Sequence, residues 1–300
     1  MRNNPNRAKK KFPVIRIMIL VFSLVLLTVS SFELYAYYKD NSESDRKTDT
    51  LREQAVVSIL PATDADVSTS ETKPVSDQED PLLPVPGKYP PISYTIPLMV
   101  DFPLLQEQNP DIIAWIYSEG TTIDYPVVHS HDNNDYLNRL IDGTYNPNGS
   151  IFVDFRNVAD FSDSNTLVYG HNMINGTMFS SLINYKKQSY YEAHPNLWIL
   201  TPERAYRVDL IAGMTIPSDS EIYTIFDSQD DMMEVLEDAV ARSTFQSDVP
   251  LEDIERIVTL STCTYDYNTA RYVVIGKLVP ADYLSKEELE QFIQATPVEG

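Results

Sequence analysis

One segment near the N-terminus constrains this chain more than any other: residues 17–32 contain no charge, no proline and no glycine. With its flanking apolar residues, the segment 14–38 is long enough to cross a bilayer as an α-helix, which takes about 20 residues. Residues 1–13 are basic, and positive charges before such a helix place the N-terminus in the cytoplasm. The sequence therefore predicts a single-pass signal-anchor in the cell membrane, with everything after residue 38 outside the cell.

The alternative to an anchor is a signal peptide that is removed after export. Such peptides end at a small-x-small cleavage site, and no clear site of that kind follows the apolar segment. We therefore expect an uncleaved helix that binds the lipid bilayer through residues 14–38.

Charge and cysteine content exclude several classes of function. The formal net charge is −21, so the phosphate backbone of a nucleic acid would repel the chain, and no nucleic-acid partner is expected. The single cysteine, Cys263, rules out an intrachain disulfide framework and any multi-cysteine zinc or iron–sulfur site.

Composition divides the exported part into a linker and a folded domain. Residues 39–91 are acidic and rich in Pro, Ser and Thr, which predicts an extended spacer that holds the domain away from the lipid. Within it, residues 48–59 are compatible with a short helix that continues from the membrane. Residues 92–297 have the length of one domain. A capping box that begins at Ser285 predicts a terminal helix over residues 285–293.

Many short strand-like runs and few helices predict a mainly β fold. The strand-like runs are 112–117, 122–128, 150–154, 166–169, 197–201, 205–212, 256–262 and 272–279. Helices are predicted over 101–108 and 230–242. The apolar face of the second helix comprises Met233, Leu236, Ala239 and Val240. Because no strand–helix–strand rhythm is present, the pattern favours an antiparallel barrel or sandwich decorated by helices.

Cys263 is the first candidate for chemistry because it ends the run 256–262 and begins a polar turn. A single cysteine is commonly an inert buried residue. In an exported protein, however, an unpaired thiol is at risk of oxidation and of intermolecular disulfides. Its position at the mouth of a strand therefore favours a nucleophile, which needs a base or a cation nearby and donors for an oxyanion.

Two other residues have positions that suit this chemistry. His171 follows a strand-like run and a glycine, so its ring is expected to project from a strand end. Arg271 begins the strand after Cys263, and a turn over residues 264–270 would bring the two strand ends side by side. The guanidinium could then reach an oxyanion with several donors. Each residue also has a structural interpretation: a satisfied histidine for His171 and a surface ion pair for Arg271.

A metal site is not expected. His129 and His131 lie in one polar loop, but no third and fourth ligand follow at a recognisable spacing. The proposed cysteine chemistry also needs no cofactor.

The motifs around these residues resemble the signature of the sortases, membrane-anchored cysteine transpeptidases of Gram-positive bacteria. The central motifs are 259–265 (TLSTCTY), Arg271 and 167–172 (LVYGHN). Further runs in family order are similar to class B sortases: 123–128, 132–137, 149–154 and 175–179. The predicted helix 230–242, placed before the cysteine strand, also matches class B, and the resemblance covers about residues 97–280.

This resemblance implies a sortase-type, eight-stranded closed β-barrel decorated by helices. It implies Cys263 as nucleophile, His171 as acid/base and Arg271 as clamp for oxyanion and substrate. The substrates would be surface or pilin proteins with a C-terminal Asn-Pro-x-Thr-like sorting motif, and the acceptor an amine of a peptidoglycan precursor or a pilin. Substrate contacts are implied for Asn133, Leu137, Ser261 and Thr262, and the backbone amide of Thr264 is implied as a donor to the oxyanion of the bound substrate. Thr262 is equally compatible with strand packing.

Two alternatives remain open. The first is a papain-like cysteine peptidase or amidase, in which the cysteine precedes the histidine and lies at a helix N-terminus, whereas here His171 comes first and Cys263 ends a strand. The second is a non-enzymatic surface-binding domain on a membrane stalk, in which Cys263 would have no chemical role.

Overall fold

The computed structural model describes residues 12–58, 96, 98–264, 266–267 and 269–281. The expected basic segment before residue 12, most of the expected linker and the expected terminal helix 285–293 lie outside these residues. The α-helices are α1 (Phe12–Ala55), α2 (Phe102–Gln108), α3 (Gln188–Ala193) and α4 (Gln229–Ala241). Short 3-10 helices span Tyr136–Asn138, Phe179–Lys186 and Glu221–Tyr223.

The described residues also form ten strands. They are β1 (Val56–Ser58), β2 (Leu98–Val100), β3 (Ile112–Tyr117), β4 (Asp124–His129), β5 (Ile151–Val153), β6 (Asn165–Tyr169), β7 (Asn196–Leu200), β8 (Ala205–Pro217), β9 (Ile257–Cys263) and β10 (Ala270–Ala281). Each strand-like run predicted within the domain corresponds to one of these strands, with β8 and β10 longer than expected because they pair with each other along almost their whole length.

Helix α1 combines a candidate transmembrane segment with a segment that packs on the folded domain. Its apolar part contains an 18-residue window of mean hydropathy 2.3, none of which is buried. Further along, Asn41, Ser44, Leu51 and Ala55 are buried against the domain. The helix continues without a break to Ala55, so residues 39–55, which the composition assigned to the linker, are helical.

Two short strands extend the junction between α1 and the domain. Strand β1 follows α1 directly and pairs antiparallel with β2, with Val56 opposite Val100 and Ser58 opposite Leu98. The amide of Asp101 donates a hydrogen bond of 2.8 Å to the carbonyl of Ala55. The chain therefore returns, at β2, to the place that it left after β1. Residues 56–58 are therefore joined to the domain, and the rest of the expected spacer, up to residue 91, lies outside the described residues.

The remaining eight strands close into a barrel in the order β10-β8-β7-β3-β4-β5-β6-β9, as the sortase resemblance implies. Two neighbouring pairs are parallel, β4 with β5 and β6 with β9, so the prediction of an antiparallel sheet was wrong for these pairs. Apolar alternation identifies a strand but not the direction of its neighbour. Both parallel pairs join strands that are separated by long connections, as parallel pairing requires.

Buried apolar side chains fill the barrel and cover its outer faces. Inside, the large rings of Phe161, Phe179 and Tyr272 pack among aliphatic side chains from the strands. Outside, Leu51 of α1 and Trp115 of β3 belong to a second cluster, so the end of α1 contributes to the hydrophobic core of the domain. Burial on both faces explains why several strands are apolar throughout rather than alternating.

Helix α4 covers another face of the barrel, against β8. Its buried side chains are Met232, Leu236 and Ala239. Of the apolar face predicted from the sequence, Met233 is only partly buried and Val240 is 42% exposed. The helix contains two overlapping apolar stripes, and packing against β8 decides which of them is buried.

Candidate active site

The ends of β6, β9 and β10 meet at a cleft of about 750 Å³. Seven of the eight residues singled out in the sequence line it: Asn133, Leu137, His171, Ser261, Thr262, Cys263 and Arg271. These residues come from four separate segments of the chain, so the fold brings together what the sequence keeps apart. Cys263 is partly exposed, which leaves its thiol accessible from the cleft.

The pairing of β9 with β10 brings Cys263 and Arg271 together. The two residues are directly opposite each other in an antiparallel ladder, with Thr262 opposite Tyr272 as the next pair. Opposed residues project from the same face, with Cβ atoms about 5 Å apart. One guanidinium nitrogen of Arg271 donates to the carbonyl of Ala270 at 3.1 Å, which holds the side chain at the end of the strand.

The parallel pairing of β6 with β9 brings the histidine segment to the same place. Tyr169 pairs with Ser261, and the amide of Gly170 donates to the carbonyl of Ser261 at 3.2 Å. In return, the Thr262 hydroxyl donates to the Gly170 carbonyl at 2.8 Å. Thr262 therefore lines the cleft and also holds two strands together, so its hydroxyl is occupied by a structural bond.

Asn172 adds a third connection, which the sequence reasoning missed. Its side-chain amide donates to the carbonyl of Cys263 at 2.9 Å. The residue after His171 is thereby bonded to the residue that carries the thiol. The motif Leu167–Asn172 contained this residue, but nothing in the sequence showed that its amide reaches back to the cysteine strand.

Gly170 permits the close approach of the strand end that carries His171. A Cβ atom at this position would lie 2.7 Å from the ring of Phe179, which is fully buried. Any larger residue would push the chain away from the barrel or displace the ring. The glycine before the histidine is therefore explained by packing.

His171 is oriented by the backbone of Leu137. Its Nε2 atom lies 2.8 Å from the Leu137 carbonyl. Because a carbonyl oxygen only accepts, this contact places a proton on Nε2. The predicted role of Leu137 at the cleft therefore has two parts: its side chain is 38% exposed at the wall, and its carbonyl fixes the imidazole.

A buried carboxylate supports the wall beside these groups. Asp154 accepts bonds from Arg156 at 2.8 and 3.0 Å, from the Tyr169 hydroxyl at 2.9 Å and from the Asn133 amide at 3.1 Å. Burial opposes ionisation of Asp154, but the bonds from Arg156, Tyr169 and Asn133 outweigh it and lower its pKa to about 2. The Asn133 carbonyl oxygen accepts from the amide of Phe155 at 3.0 Å, so both ends of this side chain stabilise the wall.

A tyrosine from a distant loop completes the opposite wall. The Tyr223 hydroxyl lies 2.8 Å from the Ser261 hydroxyl, and the Tyr223 carbonyl accepts from Arg156 at 3.2 Å. Burial raises the pKa of Tyr223, so the phenol remains a neutral hydrogen-bonding group. The sequence analysis missed this residue because the loop before α4 is adjacent to Ser261 only in the folded barrel.

Thr264 differs from its predicted role. Its backbone amide donates to the carbonyl of Ala270 at 3.2 Å, within the turn that joins β9 to β10, and the residue is not among those that line the cleft. An amide that closes a turn is not free to stabilise an oxyanion. In this conformation the amide is occupied, so its predicted role as an oxyanion donor would require that bond to open. Arg271, opposite Cys263 in the ladder, is the other donor predicted for the site.

Among the described residues, one group of three possible metal ligands occurs, and it lies in the loop that contains His131. His131, Asp132 and Asp135 have ligand atoms within 4.8 Å of one another. The Asp132 carboxylate accepts backbone bonds from Asn134 and Asp135, which lower its pKa. The His131 side chain is 82% exposed, so the group has the geometry of a solvated turn.

A partly exposed thiol in a cleft of a closed barrel is compatible with a cysteine enzyme, and comparison with known proteins identifies the class. Residues 116–279, more than half of the chain, match the sortase domain. The chain therefore belongs to the sortase family, whose members are cysteine transpeptidases.

The similar proteins are class B sortases. Over 181 residues the chain is 36% identical to sortase B of Staphylococcus aureus, a match that covers 59% of this chain and 74% of that protein. It is 37% identical over 178 residues to sortase B of Listeria monocytogenes, covering 58% of this chain and 72% of that protein. The solved structure of a Staphylococcus aureus sortase B–substrate complex aligns with a TM-score of 0.57 and 34% identity, covering 60% of this chain and 84% of that chain. These matches confirm the resemblance to class B sortases.

Proposed function

We propose that this chain is a membrane-anchored transpeptidase that joins the C-terminal region of a surface or pilin protein to an amine, with Cys263 as its nucleophile. The observation that carries this proposal is the convergence of Cys263, Arg271 and His171 on one cleft. The family supplies the reaction class, and these three side chains supply the groups that the reaction requires.

The first half of the reaction forms a thioester. The Cys263 sulfur attacks the carbonyl carbon of the threonine in an Asn-Pro-x-Thr-like motif, and the peptide bond after that threonine breaks. His171 takes the proton of the Cys263 thiol as the sulfur attacks and delivers it to the leaving amine, so the C-terminal fragment departs as a neutral amine. The guanidinium of Arg271 stabilises the negative charge that develops on the carbonyl oxygen.

The second half returns the enzyme to its starting state. An amine of a peptidoglycan precursor or of a pilin attacks the thioester carbon, and a new amide bond forms as the sulfur departs. His171 accepts the proton that the attacking amine releases. No metal and no cofactor takes part in either half.

Asn133, Leu137, Ser261 and Thr262 are proposed to bound the groove for the sorting motif. Leu137 offers an exposed apolar side chain, whereas the polar groups of Asn133, Ser261 and Thr262 are bonded within the protein. These three residues are therefore proposed to act by shaping the groove. Thr264 is not included, for the reason given above.

The candidate transmembrane part of α1 supports a location in the cell membrane. With basic residues before this helix, the N-terminus is proposed to be cytoplasmic and the domain extracellular. The enzyme would then meet its substrates after their export.

The deciding experiment incubates the full-length protein with a library of peptides that carry C-terminal sorting-like motifs, with and without an added amine. Mass spectrometry should detect a covalent adduct on Cys263 without the amine and a ligated product with it. The Cys263→Ala variant is the matched control and should give neither. Hydrolysis that an amine never redirects would indicate a peptidase, and unchanged behaviour of the variant would indicate a binding domain.

A further inference from the structure

The position of a contact along helix α1 gives its distance from the membrane-spanning segment, because each helical residue adds about 1.5 Å along the axis. The first polar contact with the domain is at Asp40, whose carbonyl accepts from the Asn146 amide at 3.0 Å. The next is at Asn41, whose side chain accepts from Asn148 at 2.8 Å. Asp40 lies only two residues beyond Tyr38, the last residue of the expected membrane-spanning segment. These contacts therefore lie within about 5 Å of the end of that segment.

The other contacts follow α1 away from this end. Lys47 forms an ion pair with Asp142 at 2.7 Å, and Arg52 forms another with Asp124. The partners of Asp40 and Asn41 therefore lie nearest the membrane-spanning segment, and the partners of Lys47 and Arg52 lie progressively farther from it. The loop 144–148, called here the membrane-proximal loop, lies at the end nearest the apolar part of α1.

The junction between α1 and the domain is buried and hydrogen-bonded. Asn41 and Ser44 are 7% and 6% exposed, and Leu51 and Ala55 are buried in an apolar cluster. Between residues 14 and 55 the helix contains neither proline nor glycine, the residues at which sharp kinks commonly occur. The domain therefore has no hinge at the point where the chain leaves the apolar segment.

The membrane-proximal loop presents an aromatic side chain to its surroundings. Tyr145 is 77% exposed, although both of its neighbours are held against α1: Thr144 accepts from Lys47 at 2.7 Å, and Asn146 donates to Asp40. On α1 itself, Tyr38 is 73% exposed close to the same level. Tyrosine is enriched at membrane interfaces because its ring is apolar and its hydroxyl polar.

From these observations we infer that the membrane-proximal loop rests on the lipid bilayer, with Tyr145 in the headgroup region, and that α1 holds the catalytic domain at a fixed height and orientation. This inference rests on the proposed anchoring of α1 in the membrane. In it, residues 39–55, which the composition assigned to an extended spacer, act as a helical connection.

The same segment reaches the candidate active site. Gly149 directly follows the loop, and a Cβ atom there would lie 2.5 Å from the Leu137 carbonyl. That carbonyl is the one that bonds Nε2 of His171. The cleft is therefore supported by the segment that docks on α1, and its position relative to the bilayer is fixed as well.

The test uses the full-length protein in vesicles of phosphatidylcholine and phosphatidylglycerol, prepared with and without brominated phosphatidylcholine, which quenches indole fluorescence on contact. Trp115 and Trp198 are buried and therefore shielded from the quencher, so a change in emission after Tyr145→Trp reports on the loop. Val240→Trp is the matched control, because Val240 is an exposed residue of α4, which packs on β8. In the barrel, β8 lies three positions away from β4, which α1 contacts through Arg52 and Asp124. We expect brominated lipid to reduce the fluorescence added by Tyr145→Trp about twofold or more and to leave that added by Val240→Trp unchanged.

A second variant tests the rigid connection. A flexible Gly/Ser insertion of about ten residues after Tyr38 should abolish the quenching, because the domain is then free to move away from the lipid. Quenching that survives the insertion would show that α1 does not impose the contact, which overturns the inference. A Tyr145→Trp protein that floats with the vesicles but is not quenched also overturns it, while leaving the proposed anchoring intact. A protein that does not float with the vesicles would overturn both.

Discussion

Cys263 and Arg271 face each other across the β9–β10 ladder, eight residues apart in sequence and adjacent in space. Strand pairing, rather than a flexible loop, sets the separation between the thiol and the guanidinium. A group that must be in place before charge develops gains most from such a fixed position, because no free energy is then spent on moving it during the reaction. The hairpin that joins the two strands is thus the central structural element of the proposed site.

Replacement of Cys263 by alanine should abolish both the covalent adduct and the ligated product. The thiol is partly exposed at a strand end, so its loss should change the free energy of unfolding by less than about 1 kcal/mol. Mass spectrometry of the adduct and urea-induced unfolding measure the two effects separately. Turnover at the normal rate would remove Cys263 from the mechanism.

Arg271→Lys should lower kcat/KM by about 100-fold or more, because an ammonium group cannot reproduce the several donors that a guanidinium directs at an oxyanion. The matched control is Arg242→Lys, at an exposed ion pair with Asp238 on α4, which should keep normal kinetics. Steady-state kinetics with a sorting-motif peptide make the comparison. Equal rates for the two variants would assign Arg271 to packing.

Alanine variants of two glycines that both need a positive φ can distinguish the effect of backbone strain from the effect of misplacing His171. Gly143 and Gly149 both have positive φ, +78° and +59°, but an added Cβ meets nothing at Gly143 and lies 2.5 Å from the Leu137 carbonyl at Gly149. Alanine at either position should cost about 1–2 kcal/mol of stability through backbone strain, and Gly149→Ala should cost more because its Cβ overlaps the Leu137 backbone. Only Gly149→Ala should also lower kcat, by about tenfold or more, because it displaces the carbonyl that orients His171.

Unfolding and kinetic measurements on both glycine variants provide the check. A Gly149→Ala protein that keeps the kcat of Gly143→Ala would show that the contact between Leu137 and His171 does not matter for turnover. His171→Ala sets the lower limit of activity in the same assay and should lose several orders of magnitude.

The Asp154 network predicts a specific pH dependence of stability. The pKa of Asp154 is about 2 in the folded protein, below the ordinary value of 3.8. A carboxylate with a lowered pKa stabilises the fold above the unfolded value and loses that contribution as the pH falls towards the folded value. Asp154→Asn should therefore lower the free energy of unfolding by about 1–2 kcal/mol at pH 7, allowing for screening at the mouth of the cleft.

The difference between the wild type and Asp154→Asn should shrink as the pH falls from about 4 towards 2. Urea-induced unfolding at a series of pH values measures it. Asp238→Asn, at the exposed pair on α4, should change stability by less than about 1 kcal/mol throughout. A constant difference for Asp154→Asn across the acid range would show that its ionisation does not stabilise the fold.

The sequence was informative wherever the signal lay in one contiguous segment. Strand-like runs predicted the strands of the barrel, and the motifs around His171, Cys263 and Arg271 predicted residues that share one cleft. The proximity of the strand ends at Cys263 and Arg271 was predicted from their spacing alone. Short-range patterns of this kind survive in the fold because strand periodicity and turn formation are local properties of the backbone.

The structure differs from the expectations where burial or hydrogen bonding depends on distant residues. The amide of Thr264 seemed available because its partner, the carbonyl of Ala270, is assigned only by strand register. The segment that follows residue 39 seemed to be a linker because its residues are polar, yet Asn41 and Ser44 find buried positions against the domain. A polar residue can be buried when another polar group forms a hydrogen bond with it.

By itself, the sequence determined the apolar helix, the strands and the identity of the three side chains proposed to react, because each depends on residues close together along the chain. Only the tertiary structure decided which strands run parallel, which polar groups remain free in the cleft and how the helix joins the domain. These features depend on pairs of residues as far apart as Asn41 and Asn148. Their contact energies exist only after the chain has closed the intervening loops, so no local pattern of residues encodes them.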